Sequence, residues 1–245
     1  YPTLTWLEEM GFVSAADAAG GRKLYTVTAE GDPLRMRRYV FSECFAAIGY
    51  GAVHRATRQA KWKERALAAY ETFLRYQREP GRIAPKVSPA TRPLKGLAPL
   101  MMTLVTAQDL RADLGDVTVL GRTLSQWARE AIDEIARDFV KPDLRAVMEV
   151  VGPSGEFLDH FDGRLLNPGH AIEAAWFVLR EARRADDAKL KQLGLAMLDY
   201  MWERGWDREH GGIRYFADVH GKPIQEYWHS MKFWWPHNEA IIATL

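Results

Sequence analysis

Three stretches of the chain are apolar almost all the way round at helical spacing: Arg35 to Ala56, Leu94 to Leu114 and Pro168 to Arg184. A helix without a polar face is buried on most of its sides. Each stretch is followed by one whose apolar positions fall on a single stripe. From Lys61 to Glu79 the stripe is Ala66, Tyr70, Phe73 and Leu74, with Arg and Glu opposite. From Val119 to Val140 it is Leu124, Trp127, Ala131, Ile135 and Phe139, and from Asp187 to Arg204 it is Leu190, Leu193, Met197 and Tyr200. A further buried helix is expected to begin near Pro236, because proline suits a first helical turn. Buried and amphipathic helices therefore alternate, at roughly 60 to 75 residues per pair, the mark of a repeat architecture.

The connectors repeat as well. Gly20-Gly21-Arg22-Lys23-Leu24-Tyr25 leads to Gly31-Asp32-Pro33-Leu34, and Gly211-Gly212-Ile213-Arg214-Tyr215-Phe216 leads to Gly221-Lys222-Pro223-Ile224. Both read as hairpins with a Gly-rich turn. Val147 to Leu158, around Gly152-Pro153-Ser154-Gly155, has similar turn chemistry. The economical arrangement is a single all-α domain over residues 1–245: an (α/α) toroid of inner and outer helices, with short β-hairpins on one rim. The helices in view are too few to close a six-pair barrel, so more are expected beyond Leu245. A helical solenoid would pair its helices in the same local way and stays open as the alternative.

Composition narrows the function classes. With 33 basic against 32 acidic residues the net charge is +1, so nucleic acid is not an expected partner. The charge-free stretch from Gly96 to Gln108 falls short of the roughly 18 apolar residues of a membrane span, so no membrane is expected either. A single cysteine, Cys44, cannot form an internal disulfide and fits a reducing, cytoplasmic setting. The start, Tyr1-Pro2-Thr3-Leu4, lacks the features of a signal peptide, and the chain reads as a segment of a longer protein. Nine Trp and nine Tyr suit a pocket that stacks sugar faces, although large helical cores use them too.

Two segments concentrate polar residues at the starts of buried helices. In Arg164-Leu165-Leu166-Asn167-Pro168-Gly169-His170-Ala171-Ile172-Glu173-Ala174-Ala175-Trp176, Asn167 is a plausible N-cap and Pro168 the first helical residue. His170 and Glu173 are three apart and share a face, where a carboxylate can orient an imidazole and raise its basicity. The competing reading is a polar pair tying two helices together. In Tyr227-Trp228-His229-Ser230-Met231-Lys232-Phe233-Trp234-Trp235-Pro236-His237-Asn238-Glu239-Ala240, Trp235 and Glu239 share a face, whereas His237 and Glu239 stand about 200° apart. An aromatic plug between helices is the structural alternative there. Arg35, Arg37 and Arg38 begin the first buried helix, where an anionic intermediate could be met, or where a solvated helix end could lie. No phosphate-cradling loop, dinucleotide fingerprint or metal-ligand spacing is present.

The strings RLLNPGHAIEAAWF and KFWWPHNEA, with Trp206-Asp207-Arg208-Glu209-His210-Gly211-Gly212 before a hairpin, resemble the N-acylglucosamine 2-epimerase family. The resemblance implies an (α/α)6 barrel over essentially the whole chain. It implies a sugar isomerase that epimerises N-acylglucosamine and N-acylmannosamine at C2, with aldose–ketose isomerases and cellobiose 2-epimerases as alternatives in the same family. It makes His170 a catalytic acid/base and places Glu173 and Glu239 in the site; Trp176, Trp235 and His237 are candidates for substrate binding, and either Arg37 or Arg38 stands in for a sugar-contacting Arg of the family or the substrate is held differently. A second catalytic His belongs to the family pattern on a later inner helix and has no counterpart before Leu245. Aligning Tyr39 to Phe45 on the family's first inner helix puts Cys44 where a sugar-contacting Arg would stand. No cofactor or metal is implied. The expected partner is a small-molecule sugar, and a homodimer is compatible with the family. A glycoside hydrolase using Glu173 and Glu239 as paired carboxylates, or a sugar-binding relative without catalysis, are the readings of other classes.

Overall fold

The computed structural model describes residues 22–35, 39–79, 81–85 and 87–245. Seven α-helices lie among them: α1 (Phe41–Thr57), α2 (Ala60–Arg78), α3 (Ala98–Leu114), α4 (Leu124–Glu134), α5 (Pro168–Ala185), α6 (Ala188–Gly205) and α7 (Trp234–Thr244). The strands are short and pair in twos, always antiparallel. None of the described helices is long and apolar enough to cross a membrane. Chain contacts divide the protein into two compact units, one within Tyr1–Ser88 and Val105–Ala128, the other within Pro89–Leu104 and Arg129–Leu245.

In the first unit α1 and α2 fold back on each other through Arg58 and Gln59. Arg58 takes the left-handed conformation (φ 59°) and its N–H caps the His54 carbonyl, so α1 stops there without a glycine. The stripe foreseen for α2 is buried: Ala66, Tyr70, Phe73 and Leu74 are all within the core, and Trp62 stacks on Tyr50 of α1. Cys44 is fully buried, where loss of solvation pushes its thiol pKa up despite the Thr106 hydroxyl beside it. That position therefore lies in the core of the first unit. Glu43, equally buried, receives Arg22 Nε at 2.8 Å and the Lys23 N–H at 2.7 Å. The first buried helix begins at Phe41 rather than Arg35, because Pro33–Arg35 pair instead with Thr26–Val27 in the first expected hairpin. Arg37 and Arg38 lie outside the described residues.

The helix expected from Val119 likewise starts later. Leu120 and Gly121 both have positive φ (49° and 78°) and turn a hairpin of Thr118–Val119 with Arg122–Thr123 before α4 begins. Consecutive positive φ values are the geometry of the tightest hairpins. The continuation to Phe139 is a π-helical turn, Ile135–Phe139.

In the second unit α5 and α6 form the next folded-back pair. Asp186 closes α5 in the left-handed conformation, and Asp187 caps α6 by accepting from the Lys189 and Leu190 N–H groups. Two of the expected hairpins turn out to pair with other segments. Ala217–Asp218 lie against Leu165–Leu166, and Val150–Val151 against Lys95–Gly96. The first of these non-local pairings joins the strand before α5 to the segment after α6. The last helix begins at Trp234, two residues before the proline.

Helix α7 packs on the first turn of α5 through a glycine. A β-carbon on Gly169 would sit 2.6 Å from Trp235 Cη2 and 3.0 Å from Pro236 Cβ, so the indole lies on bare backbone. Gly169→Ala is expected to lower stability by about 1–3 kcal/mol through overpacking. Denaturant unfolding followed by tryptophan fluorescence checks it, and an unchanged midpoint would show that Trp235 is not seated there.

Candidate active site

The N-terminus of α5 is set in place by the strand before it. Leu165–Leu166 pair with Ala217–Asp218, and Arg164 reaches Asp218 at 3.1 Å. Asn167 then caps the helix, its side-chain oxygen accepting the His170 N–H at 3.2 Å, with Pro168 as first helical residue. His170, Glu173 and Trp176 follow at three-residue intervals, so their side chains share one face of α5. This face, the second segment's α7 and a residue between two short strands that the sequence did not single out meet in one cluster.

That residue is Glu149. Its carboxylate oxygens lie 3.0 and 3.1 Å from His170 Nδ1. Glu149 stands between Ala146–Val147, paired with Val140–Lys141, and Val150–Val151, paired with Lys95–Gly96. Its own carbonyl accepts the Leu97 N–H at 3.0 Å. Both sides of the residue are thus pinned by backbone pairing. The signal was legible after the fact: Glu149 is a lone acid in Val147-Met148-Glu149-Val150-Val151, and a charge inside an apolar run needs a reason.

Burial pulls the His170 pKa down, but the Glu149 carboxylate and, further off, Glu173 outweigh it and the net shift is upward. The imidazole contact expected of Glu173 is made by Glu149 instead. Among the described residues, no hydrogen bond joins Glu173 to His170. Burial, with Glu239 and Glu149 as like charges nearby, pushes the Glu173 carboxyl up to about 7, against a smaller opposing pull from His170. A group with that pKa holds a proton about half the time at neutral pH and can serve as donor or acceptor. Glu239 is held by Trp176, whose indole Nε1 donates to Oε2 at 2.7 Å. The Trp235 ring lies 5.3 Å from the imidazole, with Tyr215 edge-on to it at 6.0 Å.

His237 does not join this cluster. Its Nε2 accepts the Ile213 N–H at 3.0 Å, which leaves Nδ1 to donate to the Phe233 carbonyl at 2.6 Å. Both ring nitrogens are consumed by backbone, so it ties α7 to the loop after α6 and has none left for a substrate. The angular separation of His237 and Glu239 on one helix is the cause. Trp234, which shares that helix, is 75% exposed. Asp207, in the loop after α6, is a structural anchor: Lys232, the His210 N–H and Arg214 hold its carboxyl far below the usual carboxylate range.

The chain matches the N-acylglucosamine 2-epimerase (GlcNAc 2-epimerase) family over residues 10–245. It belongs to that family. The N-acylglucosamine 2-epimerase of Bos taurus is 34% identical over 224 residues, covering 90% of this chain and 52% of the relative. That of Mus musculus is 34% identical over 232 residues, covering 92% and 54%. The chain spans about half the length of these relatives. Among solved structures, the cellobiose 2-epimerase of Bacillus thermoamylovorans B4167 superposes with a TM-score of 0.72 at 15% identity, over 91% of this chain and 57% of that one. A sugar epimerase from a ruminal bacterium gives 0.64 at 16% identity, over 87% and 55%. At such identities the structural likeness speaks for the shared epimerase fold, a helical one of paired helices, and the sequence relatives speak for the family.

Proposed function

We propose that this protein is a carbohydrate 2-epimerase that interconverts N-acylglucosamine and N-acylmannosamine through an enediolate, with His170 as a catalytic acid/base. The observation that carries the reading is the cluster itself: an imidazole backed by one carboxylate, beside a second that holds a proton near neutral pH, on a helix matching the family's most specific string. The family's named relatives support the same substrate class.

The C2 hydrogen of a ring-opened sugar is weakly acidic because the C1 carbonyl delocalises the charge left behind. His170 takes that proton, and its raised pKa suits a base working near neutrality. As the C2–H bond breaks, its electron pair forms the C1–C2 double bond and the carbonyl pair moves onto O1. The growing charge on O1 needs a donor, and the carboxyl of Glu173 in its protonated form can supply one. Glu239, fixed by Trp176, is placed to accept from sugar hydroxyls, while Trp176 and Trp235 offer apolar faces. Inversion requires a proton returned to C2 from the opposite face. Return to C1 instead gives a ketose, the reaction of an aldose–ketose isomerase. The single, fully buried Cys44 is in keeping with work in the cytoplasm.

The test is product analysis with the full-length protein. N-acetylmannosamine should be converted to N-acetylglucosamine and back to one equilibrium ratio, with no ketose and no new reducing ends from oligosaccharides. Ketose formation would reassign the reaction within the family. Reducing-end release would make the protein a glycoside hydrolase.

A further inference from the structure

The imidazole of His170 has two neighbours competing for one nitrogen. Glu149 lies 3.0 and 3.1 Å from Nδ1, and the amide Nδ2 of Asn167 lies 3.0 Å from the same atom. The amide cannot turn round, because its oxygen is engaged by the His170 N–H as helix cap. Glu149 offers only acceptors and Asn167 Nδ2 only donors, so the two demand opposite tautomers. With the proton on Nδ1 the bond goes to Glu149 and Nε2 carries a lone pair. With Nδ1 bare the bond comes from Asn167 and Nε2 carries the proton. Only the first form can accept a proton at Nε2.

We propose that Glu149 is the positioning residue of the His170 base, holding the proton on Nδ1 against the pull of Asn167 and so keeping Nε2 open as the proton acceptor. The charged bond should win, since a hydrogen bond to a carboxylate is roughly twice as strong as one between neutral groups. Glu149 is well placed to hold it: the carboxylate side chain is 19% exposed, and its backbone is pinned by strand pairing on both sides. When His170 takes the substrate proton, the imidazolium gains the same carboxylate as counter-ion. Three other ionisable groups face this corner: Glu173 on the same helix, Glu239 from α7, and the Tyr215 phenol, which feels the Glu149 charge.

The role rests on the proposed chemistry, but the tautomer can be read without any substrate. In the full-length protein, long-range proton–nitrogen NMR of His170 in its neutral form should show the proton on Nδ1. Glu149→Ala should move it to Nε2, because Asn167 is then the only partner. The C2 exchange rate of N-acetylmannosamine in D2O should fall by about 10²- to 10⁴-fold in kcat, with KM little changed. Glu149→Gln, which keeps the volume and can still accept, should lose less and shift the acidic limb of the pH profile to lower pH, because the base loses the charge that raises its pKa. The deciding variant is Glu149→Ala combined with Asn167→Asp. Aspartate caps a helix as well as asparagine does, and its second oxygen replaces the donor beside Nδ1 by an acceptor. This pair should return the proton to Nδ1 and recover part of the rate, which repair of a merely structural defect would not do. An Nδ1 proton retained in Glu149→Ala, or a double variant no better than the single one, would overturn the proposal. Absence of C2 exchange in the wild-type protein would instead refute the function while leaving the tautomer result standing.

Discussion

His170→Ala in the full-length protein is expected to reduce solvent deuterium exchange at C2 by roughly 10³- to 10⁴-fold, the upper part of the range for a general base. Bulk water cannot replace a base acting on carbon, so the loss falls on kcat, whereas loss of a binding contact would raise KM. The helix should tolerate the change. Its cap is the Asn167 side chain bonded to the backbone N–H at position 170, which alanine retains. The imidazole itself is only partly covered, with 31% of its side-chain surface open. Circular dichroism and unfolding midpoint close to wild type should accompany the loss. A variant that folds and still exchanges within a few-fold of wild type would move the base to another residue.

Glu173→Gln should show a trade of activity for stability. The unfolded carboxyl ionises at its ordinary 4.5, whereas the folded one ionises at about 7 because burial and neighbouring Glu239 oppose its charge. Between those pH values the folded state keeps a proton that the unfolded state has shed. Wild-type stability therefore falls as pH rises through that window and stays lowered above it. Glutamine has no proton to lose. The variant should match wild type near pH 4.5 and exceed it at pH 8 by about 1–3 kcal/mol. The amplitude belongs to the whole cluster, because Glu173 titrates in the presence of Glu239, Glu149 and His170. Activity should fall about 10²-fold or more, since an amide can hydrogen-bond the sugar oxygen but cannot transfer a proton to it. Urea unfolding at both pH values checks the first half, and C2 exchange the second. Equal stability at pH 8 would mean that Glu173 is ionised and solvated in the folded protein.

The helices were legible because their periodicity is long and strong. Ala66, Tyr70, Phe73 and Leu74 were read as one buried stripe and lie buried in α2. The cap at Asn167 and the proline after it marked the start of α5 to the residue. What the sequence hid was pairing between distant short strands. Ala217–Asp218 lie between the two arms of an expected local hairpin but pair with Leu165–Leu166, since two-residue strands carry no pattern that names a partner. The same blindness concealed Glu149, which reaches His170 across 21 residues of chain. Proximity along the helix favoured Glu173 as the orienter. In the fold Glu149 makes the contact to His170, and Glu173 lies beside the like charges of Glu239 and Glu149. His237 is the opposite case: its neighbours in the string are functional candidates, whereas its own ring nitrogens go to the backbone at Ile213 and Phe233.

The central claim is that this cluster breaks a C–H bond at C2 of a sugar. The measurement closest to it is proton NMR of N-acetylmannosamine incubated with the full-length protein in D2O. The C2 proton signal should be lost in both epimers, the C1 and C3 signals should be retained, and the exchange should disappear in His170→Ala. Interconversion of the epimers with the C2 proton fully retained would contradict it, because no base at His170 could then be handling that proton.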